Sequence, residues 1–499
     1  MKKYLFVIAI LIASFLSVAA QNNTVLYRKG TNQPYERVGY EQKDGYRVVV
    51  FNGKYGIVNR DLNETVTPKY DEIEEWGIGR MKGLWVVRLN GMCGVITSEG
   101  REILPCVYKY IKKYSDFEGK YNSTWIVCSE DGTGIYDDAG REIIPCVYHN
   151  VTGGADYFVV NIQDKDYNRE YALFNGLGRR VTHFKYTGGI DRLSNELWRV
   201  YTSVQDSRTG YEAVFWDEYG IINSRGEELV PLSYAYISSR ISEDKIVIIN
   251  KKGKYGFLDA NSLKEAITPQ YDWAGDYIAG YSAVIVNKKV GFINKEGNLV
   301  IPYEYEQGSR MEMEGLYYVK SGFNEFSFGV TFVKKNGLYG LIDKNGNELS
   351  SFIYKRVDVP QLREYSPFAF KVKDKNEKHY YMGMSGTIFM DKHAAENDSY
   401  EYVKSKVAEG DGDYYELFGE WCYRRKEYQD ARKWLLIAYA NKGNLKYAAE
   451  TLGRIYEYGL GCDKNLSEAQ EWYLLAVKSK SHQQSAEEAL DRVQTALLY

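Results

Sequence analysis

The stretch Gly53-Lys54-Tyr55-Gly56-Ile57-Val58-Asn59, carried on through Val66-Thr67-Pro68-Lys69-Tyr70, decides the fold, because its order of turn, short strand, turn, proline and tyrosine recurs along the chain. It returns as Gly91-Met92-Cys93-Gly94-Val95-Ile96 running to Ile103-Leu104-Pro105-Cys106-Val107-Tyr108, and again over 134–148, 220–234, 256–271, 291–305 and 340–354. Two worn copies complete the series, one with Ala172 at the first glycine position and Gly178 at the turn, the other with Tyr380 and Gly386. Nine first positions result: 56, 94, 134, 172, 220, 256, 291, 340 and 380. Uneven spacing around a fixed internal order puts the insertions in loops.

Within a copy, runs of four to six residues rich in Val, Ile, Tyr and Trp alternate with Asn-Gly, Asp-Gly and Glu-Gly, the pattern of hairpins. A helix of ordinary length does not fit between those turns. Pro68, Pro105, Pro145, Pro231, Pro269 and Pro302 cannot donate to a ladder and are expected at strand ends or bends. Gly56, Gly94, Gly220, Gly256, Gly291 and Gly340 are expected to share one backbone environment, in which a side chain is excluded or φ is unusual.

On these residues the array resembles the WG-repeat family of bacterial proteins, also called KWG repeats, over about residues 35–390. The naming dipeptide is replaced: Tyr-Gly stands at 55, 219, 255 and 339, with Cys-Gly, Thr-Gly or Val-Gly elsewhere, while Trp76-Gly77 lies out of register. Tyrosine keeps a large flat ring at the position. Nine copies exceed the roughly four to eight blades of a closed propeller, so a propeller-like ring and an open twisted β-spiral both stand as expectations.

The first residues carry a positive Met1-Lys2-Lys3, an apolar run from Leu5 to Leu16, and Val18-Ala19-Ala20 before Gln21, the pattern of a cleaved signal peptide over 1–20. The apolar run is shorter than the ~20 residues of a spanning helix. The chain is therefore expected to be exported, to periplasm or cell surface, and not to be an integral membrane protein after cleavage. Lys+Arg 64 against Asp+Glu 67 gives a formal charge of −3, without the basic excess that nucleic-acid binding draws on. Forty-seven tyrosines are mostly accounted for by the repeat itself; others, including Tyr46, Tyr121, Tyr157, Tyr201, Tyr211, Tyr281 and Tyr365, are candidates for a surface meeting protein or sugar.

Cys106 and Cys146 occupy the same slot of adjacent copies and read first as a small buried residue repeated; a bridge among Cys93, Cys106, Cys128 and Cys146 stays open. The five histidines, 149, 183, 379, 393 and 482, include no pair at a metal-ligand spacing, and no phosphate cradle or nucleophile elbow occurs. No cofactor, metal or catalytic residue is nominated, and the chain is read as a non-enzyme.

After about residue 391 the alternation gives way to helical spacing of Ala, Leu, Trp and charge. Residues 21–390 are read as the β-array, 391–412 as a linker and 413–499 as a separately folded helical domain. Glu409-Gly410-Asp411-Gly412-Asp413 lacks the final glutamate of a calcium loop and is read as a solvated cap or hinge. Ala448-Ala449, Leu452-Gly453, Tyr456, Gly459, Gly461, Ala469, Trp472-Tyr473 and Ala476 form a two-helix unit, with a shorter copy at Phe418-Gly419, Ala431, Trp434 and Ala438; this resembles Sel-one-like, tetratricopeptide-type repeats, with 483–498 as a capping helix. The whole is multidomain, an all-β repeat array of about nine hairpin units followed by a small α-solenoid. The two resemblances imply a protein–protein interaction platform in a bacterial cell envelope, with glycan binding through exposed aromatics, or an enzyme site assembled across copies, as alternatives. Glu450, Arg454 and Glu457 are expected as exposed partner-binding residues, with Trp434 and Trp472 in the core.

Overall fold

In all nine copies the first position pairs across a hairpin with a buried β-branched residue. The pairs are Val49 with Gly56, Val87 with Gly94, Val127 with Gly134, Val160 with Ala172, Val200 with Gly220, Ile248 with Gly256, Val284 with Gly291, Val333 with Gly340 and Val372 with Tyr380. The register read from sequence therefore holds in the worn copies as well. The computed structural model describes residues 26–42, 44–74, 83–115, 121–154, 156–206, 214–306, 329–358, 369–442, 448–478 and 483–497. The expected signal peptide and Trp76 lie outside them.

Eight antiparallel sheets, each a simple meander, follow one another at 37–70, 72–108, 110–148, 150–175, 189–234, 236–271, 273–306 and 330–389, here sheets 1 to 8. Six are four-stranded, sheet 4 has three strands, and sheet 8 has six because it joins the last two copies. Nine copies thus make eight sheets. In sheets 1, 2, 7 and 8 the inner hairpin opens on a tight turn, Asn52-Gly53, Asn90-Gly91, Asn287-Lys288 and Asn336-Gly337, with both residues at positive φ, as a twisted two-residue hairpin requires. Asn and Asp residues hold many of the turns: Asn59, Asp137, Asn175, Asn223 and Asp343 in the second turn, and Asn250 and Asp374 in the first, each accept main-chain N–H groups two and four residues on.

The repeat glycine and the proline explain each other. Opposite Gly56 the pairing jumps from Tyr55–Tyr70 to Ile57–Val66, a bulge that recurs at Gly94, Gly134, Gly220, Gly256 and Gly291. The bulged strand lies directly on the glycine: a Cβ on Gly56 would stand 2.5 Å from the Val66 carbonyl oxygen and 2.8 Å from the Pro68 nitrogen. None of the six glycines nominated from sequence has a positive φ, so exclusion of a side chain, and not backbone conformation, selects them. Pro68 and its counterparts sit inside the closing strand at this bulge, on the edge of the sheet, where a missing N–H costs no ladder bond. That refines the expectation of a strand end.

The chain divides into two compact units, 1–190 and 191–499. In the first, Val48, Ile57, Val66 and Tyr70 of sheet 1 pack with Trp85, Val87 and Ile96 of sheet 2; Val86, Val95 and Leu104 of sheet 2 pack with Trp125 and Val127 of sheet 3; and Ile126, Ile135 and Ile144 of sheet 3 pack with Phe158, Val160 and Phe174 of sheet 4. Both faces of an inner sheet are covered, so strands such as Leu84–Leu89 are buried in continuous runs instead of alternating. The turn glycines seal the same joints: Gly100, Gly140 and Gly178 lie against the Thr65, Ile103 and Ile143 carbonyl groups of the sheet before.

The second unit repeats this stacking through sheets 5 to 8 and ends in six helices among the described residues: α1 Lys392–Ala408, α2 Tyr415–Arg424, α3 Tyr428–Lys442, α4 Ala448–Tyr458, α5 Leu466–Lys478 and α6 Gln483–Leu497. The expected linker 391–412 is thus mostly α1, a seventeen-residue helix started by Asp391, whose side chain accepts from the Ala394 N–H. Five residues of α1 are buried, and one core joins Leu341, Val372, Met382 and Met384 of sheet 8 to Tyr400 and Val403 of α1 and to Leu417, Phe418 and Trp421 of α2. Lys344 of sheet 8 bonds Asp411 and Asp413, both at 2.8 Å, so the acidic segment beside α1 holds an internal ammonium group.

Candidate functional site

The helices are built on two close approaches. A Cβ on Gly419 of α2 would stand 2.7 Å from Leu435 of α3, and one on Gly453 of α4 would stand 2.6 Å from Tyr473 of α5. Ala431 and Ala469, one turn before those contacts, are fully buried, as the small-residue pattern predicts. Gly459 and Gly461, both at φ +66°, end α4, and the Leu460 N–H closes back on Ile455 at 2.9 Å. Asn465 then starts α5 by accepting from the Glu468 N–H.

The three nominated binding residues part company here. Arg454 is exposed, as expected. Glu450 and Glu457 are not: they are 8% and 6% exposed and face α6. Glu450 accepts from Arg454 at 2.6 Å and from the Ser485 hydroxyl at 2.8 Å. Glu457 accepts both guanidinium donors of Arg492, at 2.7 and 2.9 Å, and the Tyr473 hydroxyl at 2.7 Å. Burial works to raise the pKa of Glu457, but the Arg492 and Tyr473 hydrogen bonds outweigh it and hold the group below the ordinary carboxylate range. These two carboxylates fasten the capping helix, and the exposure expected of them is corrected. What α4 and α5 present to solvent is Arg454 and Tyr458 from the first and Ser467, Glu471 and Leu474 from the second, with Tyr458 and Leu474 58% and 39% exposed. Trp472 is buried edge-on against Tyr439 at 4.9 Å, and Trp434 packs on Tyr415 at 5.3 Å.

On the sheets, several nominated rings are packing elements. Tyr46 hydrogen-bonds Glu99, Tyr201 stacks on Tyr219 at 4.8 Å, and Tyr281 lies against the core of sheets 7 and 8. Tyr211, Tyr365 and the side chain of Tyr121 fall outside the described residues. The well-exposed tyrosines are others: Tyr27, Tyr40, Tyr110 and Tyr167. All six cysteines are free thiols. Cys106 and Cys146 lie over the repeat glycines, within 2.7 and 2.8 Å of where a Cβ of Gly94 or Gly134 would stand, but they are only half-buried, and other copies place Leu232, Tyr303 and Phe352 there, so the slot is not reserved for a small buried residue. Among the described residues no three His, Cys, Asp or Glu side chains are grouped to hold a metal ion, and no helix is long and apolar enough to cross a membrane.

Five stretches, 55–92, 219–255, 255–289, 291–322 and 339–360, match the family described as WG containing repeat, and four of them begin at the Tyr-Gly dipeptides. No curated protein matches the chain. Among solved structures, the chain is similar to a eukaryotic initiation factor at 8% identity, with a TM-score of 0.27 over 70% of this chain and 95% of that one. It is also similar to BamB from Moraxella catarrhalis (9% identity, TM-score 0.18, 68% and 94% covered) and to Kluyveromyces lactis Hsv2 (8%, 0.19, 62% and 94%).

Proposed function

Starting from the WG repeats that the chain carries at five places, we propose that it is a non-catalytic, exported repeat protein that serves as a protein–protein interaction platform in a bacterial cell envelope. The amino-terminal pattern supports export, and the glycine spacing of the two helical hairpins supports a Sel-one-like, tetratricopeptide-type module beside the β-array. The observation that carries the reading is the outer surface of α4 and α5: Arg454, Tyr458 and Leu474 stand in solvent on helices fixed by Gly453, Tyr473 and the clasp of Glu457 with Arg492. A cation, a phenol and an aliphatic group held rigidly, with the exposed Glu471 carboxylate on α5 near Leu474 in sequence, suit a protein surface of mixed charge.

The test is capture from envelope extracts on the immobilised mature chain and on an Arg454→Ala/Tyr458→Ala variant. Loss of one retained partner at an unchanged melting temperature supports the reading; identical retention overturns it. A glycan-binding reading draws on Tyr40 and Tyr167, 72% and 81% exposed. Binding to envelope polysaccharide without any protein present would favour that reading.

A further inference from the structure

Glu420, in α2, is 5% exposed, and its Oε1 is buried without a hydrogen-bond partner. It stands where α2 meets α4. On its own helix the charged neighbours are Glu416 and Arg424, and from α4 come Glu450 and the Thr451 hydroxyl. Glu416 is held by the Ala448 N–H at 3.3 Å, and Glu450 is paired with Arg454 and Ser485. α3 brings Leu435 against Gly419, while α1 brings Tyr400 against Phe418 and Trp421, with its phenol on Glu427. Two carboxylates thus adjoin the buried one, and the nearest guanidinium of α4 is already committed to Glu450.

We propose that Glu420 is a proton-controlled wedge between the two helical hairpins: neutral, it is accommodated at the junction of α2 and α4, and ionised, it is a buried charge that drives the junction open. An ionised carboxylate in such a place, with the Thr451 hydroxyl on hand but Oε1 buried without a partner, costs more than the acid form. Burial, with Glu416 and Glu450 adding to it against Thr451 and Arg424, pushes its pKa up to about 8. The sign follows from linkage. The closed junction keeps a proton that an opened one releases, so closure is most favourable below the ordinary carboxylate value of 4.5, weakens as pH rises from there to about 8, and changes no further above it. The junction of α2 and α4 is therefore tight in acid and loose in mild base. The device goes beyond the binding role and does not depend on which partner is bound.

Hydrogen exchange on the full chain at pH 5.5 and pH 8, corrected for intrinsic rates, reads the junction directly. The α2 and α4 amides of the wild type should lose protection by about tenfold or more at the higher pH, against a reference set in sheets 1 to 3, and Glu420→Gln should abolish the difference. Glu416→Gln removes a neighbouring like charge and should move the point at which protection levels off to lower pH. The same pH profile in wild type and Glu420→Gln overturns the proposal. If Glu420→Gln does not fold, an unmoved profile in Glu416→Gln overturns it instead.

Discussion

The Ser399 hydroxyl of α1 accepts a hydrogen bond from the main-chain N–H of Met384 at 3.0 Å, and through it the first helix completes the last copy of the β-array. Six other copies close with a strand running through proline to tyrosine. Here the closing strand stops at Phe389, Asp391 turns the chain into α1, and Asp398, one residue before Ser399, takes the N–H and hydroxyl of Ser385. The helix stands where a strand would.

Ser399→Ala removes that acceptor and leaves a buried N–H behind. Global stability should fall by about 1–3 kcal/mol in chemical denaturation. A change under about 0.5 kcal/mol would mean that α1 merely rests on the sheet.

A chain ending at Asp391 uncovers Leu341, Val372, Met382 and Met384, which share a core with Tyr400, Val403 and Phe418. It should lose the cooperative melt of sheet 8 and bind a hydrophobic dye. A sharp melt with no dye binding would restore the independent β-domain expected from the change of hydrophobic period.

Two alanine substitutions separate main-chain from side-chain crowding. A Cβ at Gly256 meets the Ile267 carbonyl oxygen and the Pro269 nitrogen, both at 2.6 Å, whereas one at Gly340 meets the Phe352 ring at 2.9 Å. A ring can turn and a bulged strand cannot. Gly256→Ala should cost about 3 kcal/mol and Gly340→Ala about 1 kcal/mol in urea unfolding, and the reverse order would contradict the bulge as the reason for the glycine.

The clasp of Glu457 with Arg492 should act on pH in the opposite sense to Glu420. Its depressed carboxylate contributes stability that is present above the ordinary carboxylate range and lost as pH falls through the folded value. Acid should release α6, seen as faster exchange of its amides as pH falls from the ordinary carboxylate value of 4.5, and Arg492→Met should release it at neutral pH.

Trp472→Ala should destabilise the helices by about 3–5 kcal/mol, while Arg454→Ala, whose ion pair with Glu450 is half in water, should cost under about 1 kcal/mol. Loss of partner capture at full stability in Trp472→Ala would make that ring a binding residue instead of core.

What was legible in the sequence follows from what is local. The nine first positions could be read even at Ala172 and Tyr380, because turn chemistry and the pairing with a β-branched neighbour are settled within one hairpin. The merging of the last two copies into one sheet was not readable, since it depends on Tyr354 pairing forward to Asp374 as well as back to Tyr339. Glu450 and Glu457 misled for a related reason. On α4 alone they lie on a polar face, and only the arrival of α6, some thirty-five residues on, buries them.

The contact of Gly140 with the Ile103 carbonyl group has a meaning for the history of the chain. Gly100 meets Thr65, Gly178 meets Ile143 and Gly386 meets Leu349 in the same manner, with threonine, isoleucine or leucine behind one main-chain group. A joint made of backbone is indifferent to the residue that supplies it. That part of the joint passes to a duplicated copy without rematching, while the side-chain cores beside it have to be matched again at each duplication.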